Sequence, residues 1–316
     1  MRILGYIFSA NFLFMWIRVA TPILFPALGA VVGERSGVVN LGLEGTMLIS
    51  ALFGVLGSWY FHGLIPGMLC GILSALIVSA IFAFFHLVLN ANNVLCGTAV
   101  NTIGTGLTVF VTQLVTGEKG GTSSLKSYQF PNVDIPVIKD IPVLGNILSG
   151  HNLLTYLAIV TVFIVFFFLY KTPLGLRIRA VGENPNAASS VGISVTKMRF
   201  IAILITGLLS SFGGMYLSMG YLPLFTRDMT AGRGFIALAS CAMGHQTPFG
   251  TLFGTLVFAF FDGLSNILQL LRIPAEFVQM LPYAATIIGL TIYSIRGILQ
   301  AKNAERQSIK RASVEQ

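Results

Sequence analysis

The chain predicts an all-α, polytopic membrane fold, on three observations. Of its 316 residues, 55% are hydrophobic and only 9% charged, and the mean hydropathy is +0.83; soluble domains carry about 25% charged residues. The apolar residues fall in runs near the ~20 residues that a helix needs to cross a hydrocarbon core. The charges are confined to short interruptions and a basic C-terminal stretch. A single transmembrane domain over residues 1–316 follows, with about eight to ten helices, some of them broken or re-entrant half-helices.

Taken in order, Phe12 to Val32 is the first span, with kinks expected at Pro22 and Pro26. A tight polar turn, Glu34-Arg35-Ser36-Gly37, precedes a second run, Val38 to Phe61, whose start is broken by Asn40, Gly42, Glu44 and Gly45. Gly63 to Leu89 is the third span, and Asn90-Ala91-Asn92-Asn93 ends it and caps the next. The fourth, Val94 to Val115, is so rich in Gly, Thr and Asn that it must pack closely on its neighbours or line a polar path, unlike a lipid-facing helix. Gly117 to Asn152, with Pro131, Pro136 and Pro142, reads as an ordered loop or a short re-entrant cover. Leu153 to Tyr170 is a lipid-facing fifth span and Phe200 to Met219 the sixth. Phe235 to Asn266 is too long for one span and is broken at Gly244-His245-Gln246-Thr247-Pro248, so two short half-spans in a hairpin are expected. Phe277 to Ile295 is the last span, before a basic tail at 297–316.

Between the fifth and sixth spans lies Lys171 to Arg199, with five basic residues (Lys171, Arg177, Arg179, Lys197, Arg199) and Glu183 as its only acid. Basic loops stay cytoplasmic. With five spans before this segment and four after it, the N-terminus lies outside and the tail inside. Topology therefore accounts for the net charge of +8. The bases sit at the ends of apolar runs rather than on one face, which argues for membrane lipid and against nucleic acid as a partner. Cys70, Cys96 and Cys241 sit in apolar sequence without CxxC or Cys/His spacing, so no metal site is expected. No Ala-x-Ala site follows a short apolar N-terminal run, so no cleaved signal is expected.

Within the basic segment, Asn184-Pro185 opens a short helix, with Asn184 as N-cap, Pro185 at the first helical position and Gly192 as the stop. Ala187, Ala188 and Val191 would share a face small enough for close approach to a partner. An ordinary surface helix fits the same spacing.

At this point the residues resemble a known family. The run Gly175 to Ser194, GLRIRAVGENPNAASSVGIS, is similar to the coupling segment of ABC importer permeases of the ribose and nucleoside type. So is Glu34 to Leu48, ERSGVVNLGLEGTML, whose Val-Asn-Leu-Gly-Leu-Glu looks like the nucleoside (guanosine, purine or uridine) branch. The resemblance extends from Thr21 to Arg296. It implies that residues 182–192 enter a groove of a separate ATPase subunit, through Gly182, Glu183, Asn184, Pro185, Ala187, Ala188 and Gly192. It also implies a second, different permease chain, an extracytoplasmic substrate-binding lipoprotein and a place in a bacterial cell membrane. ATP and magnesium would sit on the partner, and this chain would bind no cofactor. Independently, the chain has no G-x-x-x-x-G-K-[ST] phosphate loop and no Gly-Lys pair. It is therefore expected to be a transport subunit and not an enzyme.

A substrate path is sketched by intramembrane polar and aromatic groups: Asn40, Glu44, Asn101, Phe235 and Asn266. An acid inside a bilayer must face protein or water, so Glu44 either touches the path or braces a broken helix, with Arg35 as a candidate partner. The asparagines can hydrogen-bond a ribose or base edge, or glue helices together. The segment Arg227 to Phe235 would start a half-helix whose N-terminus points at a polar path. His86 and His245 read as interfacial packing. Three rival readings remain: a permease for simple sugars or branched-chain amino acids, an ion-coupled secondary transporter, and a membrane enzyme, for which no catalytic constellation is visible.

Overall fold

The computed structural model describes residues 9–118, 120–125, 127–134, 144–270 and 291; the final expected span apart from residue 291, the tail 297–316 and the Asn266 side chain lie outside the described residues. The helices are α1 (Ala10–Arg35), α2 (Leu43–Tyr60), α3 (Leu64–Ala83, prolonged by a π turn to Val88), α4 (Asn93–Thr116), α5 (Leu144–Leu148), α6 (Leu153–Lys171), α7 (Pro173–Glu183), α8 (Pro185–Ser190), α9 (Val195–Met215, prolonged by a π turn to Tyr221), α10 (Arg233–Met243) and α11 (Pro248–Leu270). Six of them are long and apolar enough to cross a membrane. Two two-residue strands, Asn132–Val133 and His151–Asn152, form a small antiparallel ladder in the expected loop cover.

Helices α1 and α2 form the core that the others surround. Every residue of α1 from Val19 to Gly33 is buried, and α9, α10, α11 and α6 pack around it. Pro22 and Pro26 do not break this helix. Each lacks an N–H and so frees a carbonyl four residues back. The one freed by Pro22, on Arg18, accepts from the Tyr216 hydroxyl at 3.1 Å. The one freed by Pro26, on Pro22, faces Gly213, where a Cβ would come to 2.9 Å of that oxygen and 2.8 Å of the Pro26 ring. Helix α9 and its π turn thus come close to both freed carbonyls.

The lipid-facing surface is built from stripes. On α3, Ile65, Leu69, Leu73, Ile77 and Ile81 are exposed at four-residue spacing, and Gly67, Gly71, Ala75 and Ser79 are buried on the other side. The fifth span is lipid-facing on one side only, because Leu154, Ala158, Val162, Val165 and Leu169 of α6 belong to the core. The fourth span departs further from expectation. Its small residues Gly97, Gly104 and Thr108 form a single buried stripe, with Gly97 against Leu41 and Gly104 against Gly45 of α2, and Leu95, Ile103, Phe110 and Leu114 are exposed.

Arg35, the docking segment and the turn at His245-Gln246 come together at one end, and the basic segment makes that end cytoplasmic. The expected hairpin after α9 exists but is unequal. Helix α10 has 11 residues and α11 has 23, so only the first leg is a half-helix. The break at 244–247 is held by positive φ angles at His245 and Gln246.

Candidate functional site

Two helix N-termini meet head to head inside the membrane. The segment Ser36 to Gly42 runs back from the cytoplasmic end without helical structure, and α2 starts only at Leu43. Opposite it, the chain descends after α9 to Gly232, in the left-handed region at φ 79°, and α10 begins. With a rise of ~1.5 Å per residue, the 11 residues of α10 start about 16 Å above the cytoplasmic turn.

Both helix starts carry orphan N–H groups and a positive dipole end. The acid in the first turn of α2, Glu44, serves both. Its Oε1 accepts from the Thr230 hydroxyl (2.5 Å) and the Gly232 amide (2.8 Å), and its Oε2 from the Gly234 amide (2.7 Å). Of the two roles open to Glu44, bracing a broken helix describes this geometry, with α10 and not Arg35 as the partner. Asn101 likewise acts as glue: its Nδ2 donates to Leu41 O at 2.9 Å and its Oδ1 accepts from Gly45 N at 2.8 Å. The Oδ1 of Asn40 caps Gly42 N at 2.9 Å, while its buried Nδ2 has no partner among the described residues. Phe235 is 48% exposed on the first turn of α10. Thus Asn40, Glu44 and Asn101 share one junction of α2, α4 and α10, and Phe235 lies on its free side.

The other end of α10 is held by Arg35. Its Nε donates to Gln246 O at 2.8 Å and its Nη2 to His245 O at 3.2 Å. A cation at the C-terminal carbonyls and an acid at the N-terminal amides are the stabilising arrangement for a helix dipole. Arg35 also reaches Glu183 at 3.9 Å, but that side chain is 75% exposed, so the pair contributes little energy. Gly182 makes the firmer contact: a Cβ there would fall 2.1 Å from the Arg35 carbonyl oxygen. Arg199 donates to Ser36 O at 3.2 Å.

The docking segment has the expected cap. The Asn184 side chain accepts from Ala187 N at 3.0 Å, Pro185 opens α8, and Gly192 ends it at φ 82°. The shared face differs from expectation. Ala188 turns into the protein core, leaving Ala187 and Val191, one turn apart, on the outer side. Glu183, Asn184 and Gly192 are exposed there too, whereas Gly182 is spent on packing against α1. Helix α7 was not foreseen, because Lys171 to Arg199 reads as a polar interruption; Thr172 caps it by accepting from Gly175 N at 3.1 Å.

Sequence reasoning also missed the ion pair of Arg233 with Asp262 at 3.3 Å, both about one-fifth exposed. Its signal was available, since Asp262 is the one acid in the apolar run of α11. On the outer side, Phe14, Arg18, His151, Asn152, Tyr216 and Tyr221 help to line a cavity of about 560 Å³. Arg18 lies 4.2 Å from the Tyr221 ring centroid.

Residues 12–290 match the family described as branched-chain amino acid transport system / permease component. The chain is 40% identical over 283 residues to the guanosine ABC transporter permease protein NupQ of Bacillus subtilis, covering 86% of this chain and 88% of that protein. It is 35% identical to the nucleoside ABC transporter permease protein NupC of Lactococcus lactis (87% and 89% covered). A third relative, the putative glucose ABC transporter permease protein TsgC13 of Haloferax volcanii, is also 35% identical (81% and 77% covered).

Proposed function

The chain belongs to the permease component family of branched-chain amino acid transport systems, and from that membership we propose that it is the multi-pass subunit of an ATP-driven importer carrying nucleosides across the cytoplasmic membrane. The observation that carries this reading is the docking segment: a capped helix with an exposed outer side, backed without slack by the end of α1. Such a surface suits a chain that receives its energy from another subunit. Glu183, Asn184, Pro185, Ala187, Val191 and Gly192 would meet the ATPase, with Gly182 and Ala188 shaping the surface from beneath. ATP and magnesium would belong to that ATPase, and a binding protein outside would deliver the cargo. A second, different permease chain would complete the membrane unit. Asn40 and Phe235 are the best-placed of the path residues, because one has an unspent buried donor and the other an exposed ring. The cargo assignment rests on the nucleoside relatives.

The test is uptake of labelled guanosine and uridine by cells or vesicles that hold all the partners. Uptake should stop on ATP depletion, survive an ionophore and be competed by unlabelled nucleosides but not by ribose or glucose. Competition by the sugars alone would favour the second reading, a simple-sugar permease, which the Haloferax relative supports. Uptake that survives ATP depletion and collapses with the ionophore would overturn both.

A further inference from the structure

We propose that Arg35 is the positioning residue that joins the docking segment to the half-helix α10, so that the two move as one body and the ATPase state is delivered to the membrane interior at Glu44. The proposal rests on the reading of Lys171 to Arg199 as the ATPase docking surface.

Every contact described above between the docking segment and the start of the membrane path passes through residues 35–37. Gly182 abuts the Arg35 carbonyl so closely that not even a methyl group fits between them, and Arg199 holds Ser36 O. The first link is therefore steric and transmits displacement directly. The second link is the Arg35 side chain, whose Nε and Nη2 donate to consecutive carbonyls, Gln246 O and His245 O, just beyond α10. A planar guanidinium fixes two acceptors in one geometry, whereas an ammonium on a flexible stem does not. The third link is Glu44, which holds the far end of α10 through three donors. The polar anchors at the two ends of α10 described above thus come from one stretch, residues 35–44, lying alongside it, while its apolar side packs on Ile23 and Ala27 of α1 and Phe258 of α11 and Arg233 pairs with Asp262. Helix α10 is also the short intramembrane element with a free side, carrying exposed Phe235. A shift of the docking segment would then carry the α10 N-terminus with it, moving it relative to exposed Leu69 on the outer face of α3.

The experiment uses the complete transporter in vesicles, with Arg35→Lys. The variant should keep its association with the ATPase subunit and hydrolyse ATP, yet import about ten-fold less nucleoside per ATP, the range that coupling substitutions reach. Import per ATP within two-fold of the unmodified protein would overturn the proposal. If Arg35→Lys does not assemble, distances decide, measured between spin labels in the otherwise unmodified transporter with its three cysteines replaced. Labels at exposed Leu176 on α7 and Phe235 on α10 should keep their separation between ATP-bound and ATP-free states, while that between Phe235 and exposed Leu69 on α3 changes. Equal changes in both separations, or a change in the first alone or in neither, would overturn it. Failure of the underlying reading has a separate signature, uptake by the unmodified protein without ATP.

Discussion

The Gly234 amide lies 2.7 Å from a carboxyl oxygen of Glu44, and a Cβ on Gly234 would fall 2.6 Å from the Glu44 backbone nitrogen. Two helices therefore start within contact of each other's backbone, and one side chain satisfies the second helix's orphan amides. Glu44→Gln tests this. A glutamine offers one acceptor oxygen and turns an NH₂ donor toward amides that are themselves donors. Burial of unpaired polar groups of this kind costs about 1–3 kcal/mol each. The expected outcome is a lowered unfolding midpoint in detergent, with faster hydrogen exchange at residues 230–236. Exchange unchanged there would show that Glu44 does not hold α10.

Gly182 is predicted to be as intolerant as any residue of the docking segment, although its exposure gives no hint of it. Gly182→Ala places a methyl group 2.1 Å from a backbone oxygen, and overpacking of this kind costs about 1–3 kcal/mol. Because the clash displaces α7 from α1, nucleoside-stimulated ATP hydrolysis should fall with Gly182→Ala, while Ser190→Ala, on the exposed side of α8, leaves it unchanged. Equal stimulation in both variants would show that the contact is compliant.

Much of the plan was legible in the sequence, because it is written in run length and in Gly, Pro and Asn. The order of the spans up to α11, the break before Glu44, the half-helix after Gly232 and the cap at Asn184 all follow from local chemistry that each residue carries with it. Pairing across the fold was not legible. Nothing local says that Glu44 meets Thr230 or that Arg35 meets His245 O, because those contacts depend on how α10 lies between α1 and α2. The same limit explains α4: its Gly and Thr content predicted close packing, but only the structure shows that a single stripe of it is used.

Asn101 separates gluing from substrate contact. Both ends of its amide are engaged, with Leu41 O and Gly45 N, so Asn101→Leu strands one acceptor and one donor where α2 starts. The expected result is about 2 kcal/mol of lost stability, with the apparent KM for nucleoside uptake unchanged in whatever protein folds. A raised KM at unchanged stability would make Asn101 a substrate ligand instead.

His151 sets a pH dependence on the outer side. It is buried in the small strand ladder and stacked on Phe14 at 4.0 Å. Burial pushes its pKa below the ordinary value of 6.5, helped by the charge of Arg18 and opposed by its hydrogen bond to Ile147 O. The unfolded chain thus binds the proton more readily than the folded one, and stability rises with pH across that window. The ladder should be fully stable above the ordinary histidine value and weaken as pH falls below it. Hydrogen exchange at residues 145–152, followed over about pH 5 to 8, should show that loss, and His151→Phe should remove it.

Tyr216 and Pro22 give the sharpest test of how the core is held. The Tyr216 hydroxyl donates to Arg18 O at 3.1 Å, the carbonyl that Pro22 leaves without its helical donor. Tyr216→Phe alone leaves that half-buried carbonyl without its donor and should cost about 1 kcal/mol. Pro22→Ala restores an N–H that can donate to the same oxygen, so in that background Tyr216→Phe should cost much less. A double-mutant cycle on unfolding midpoints measures the difference, and contacting residues that share one acceptor are expected to couple by about 0.5–3 kcal/mol. Additive effects would mean that the hydroxyl acts through Thr155, 3.5 Å away, and that the proline-freed carbonyl is satisfied in some other way.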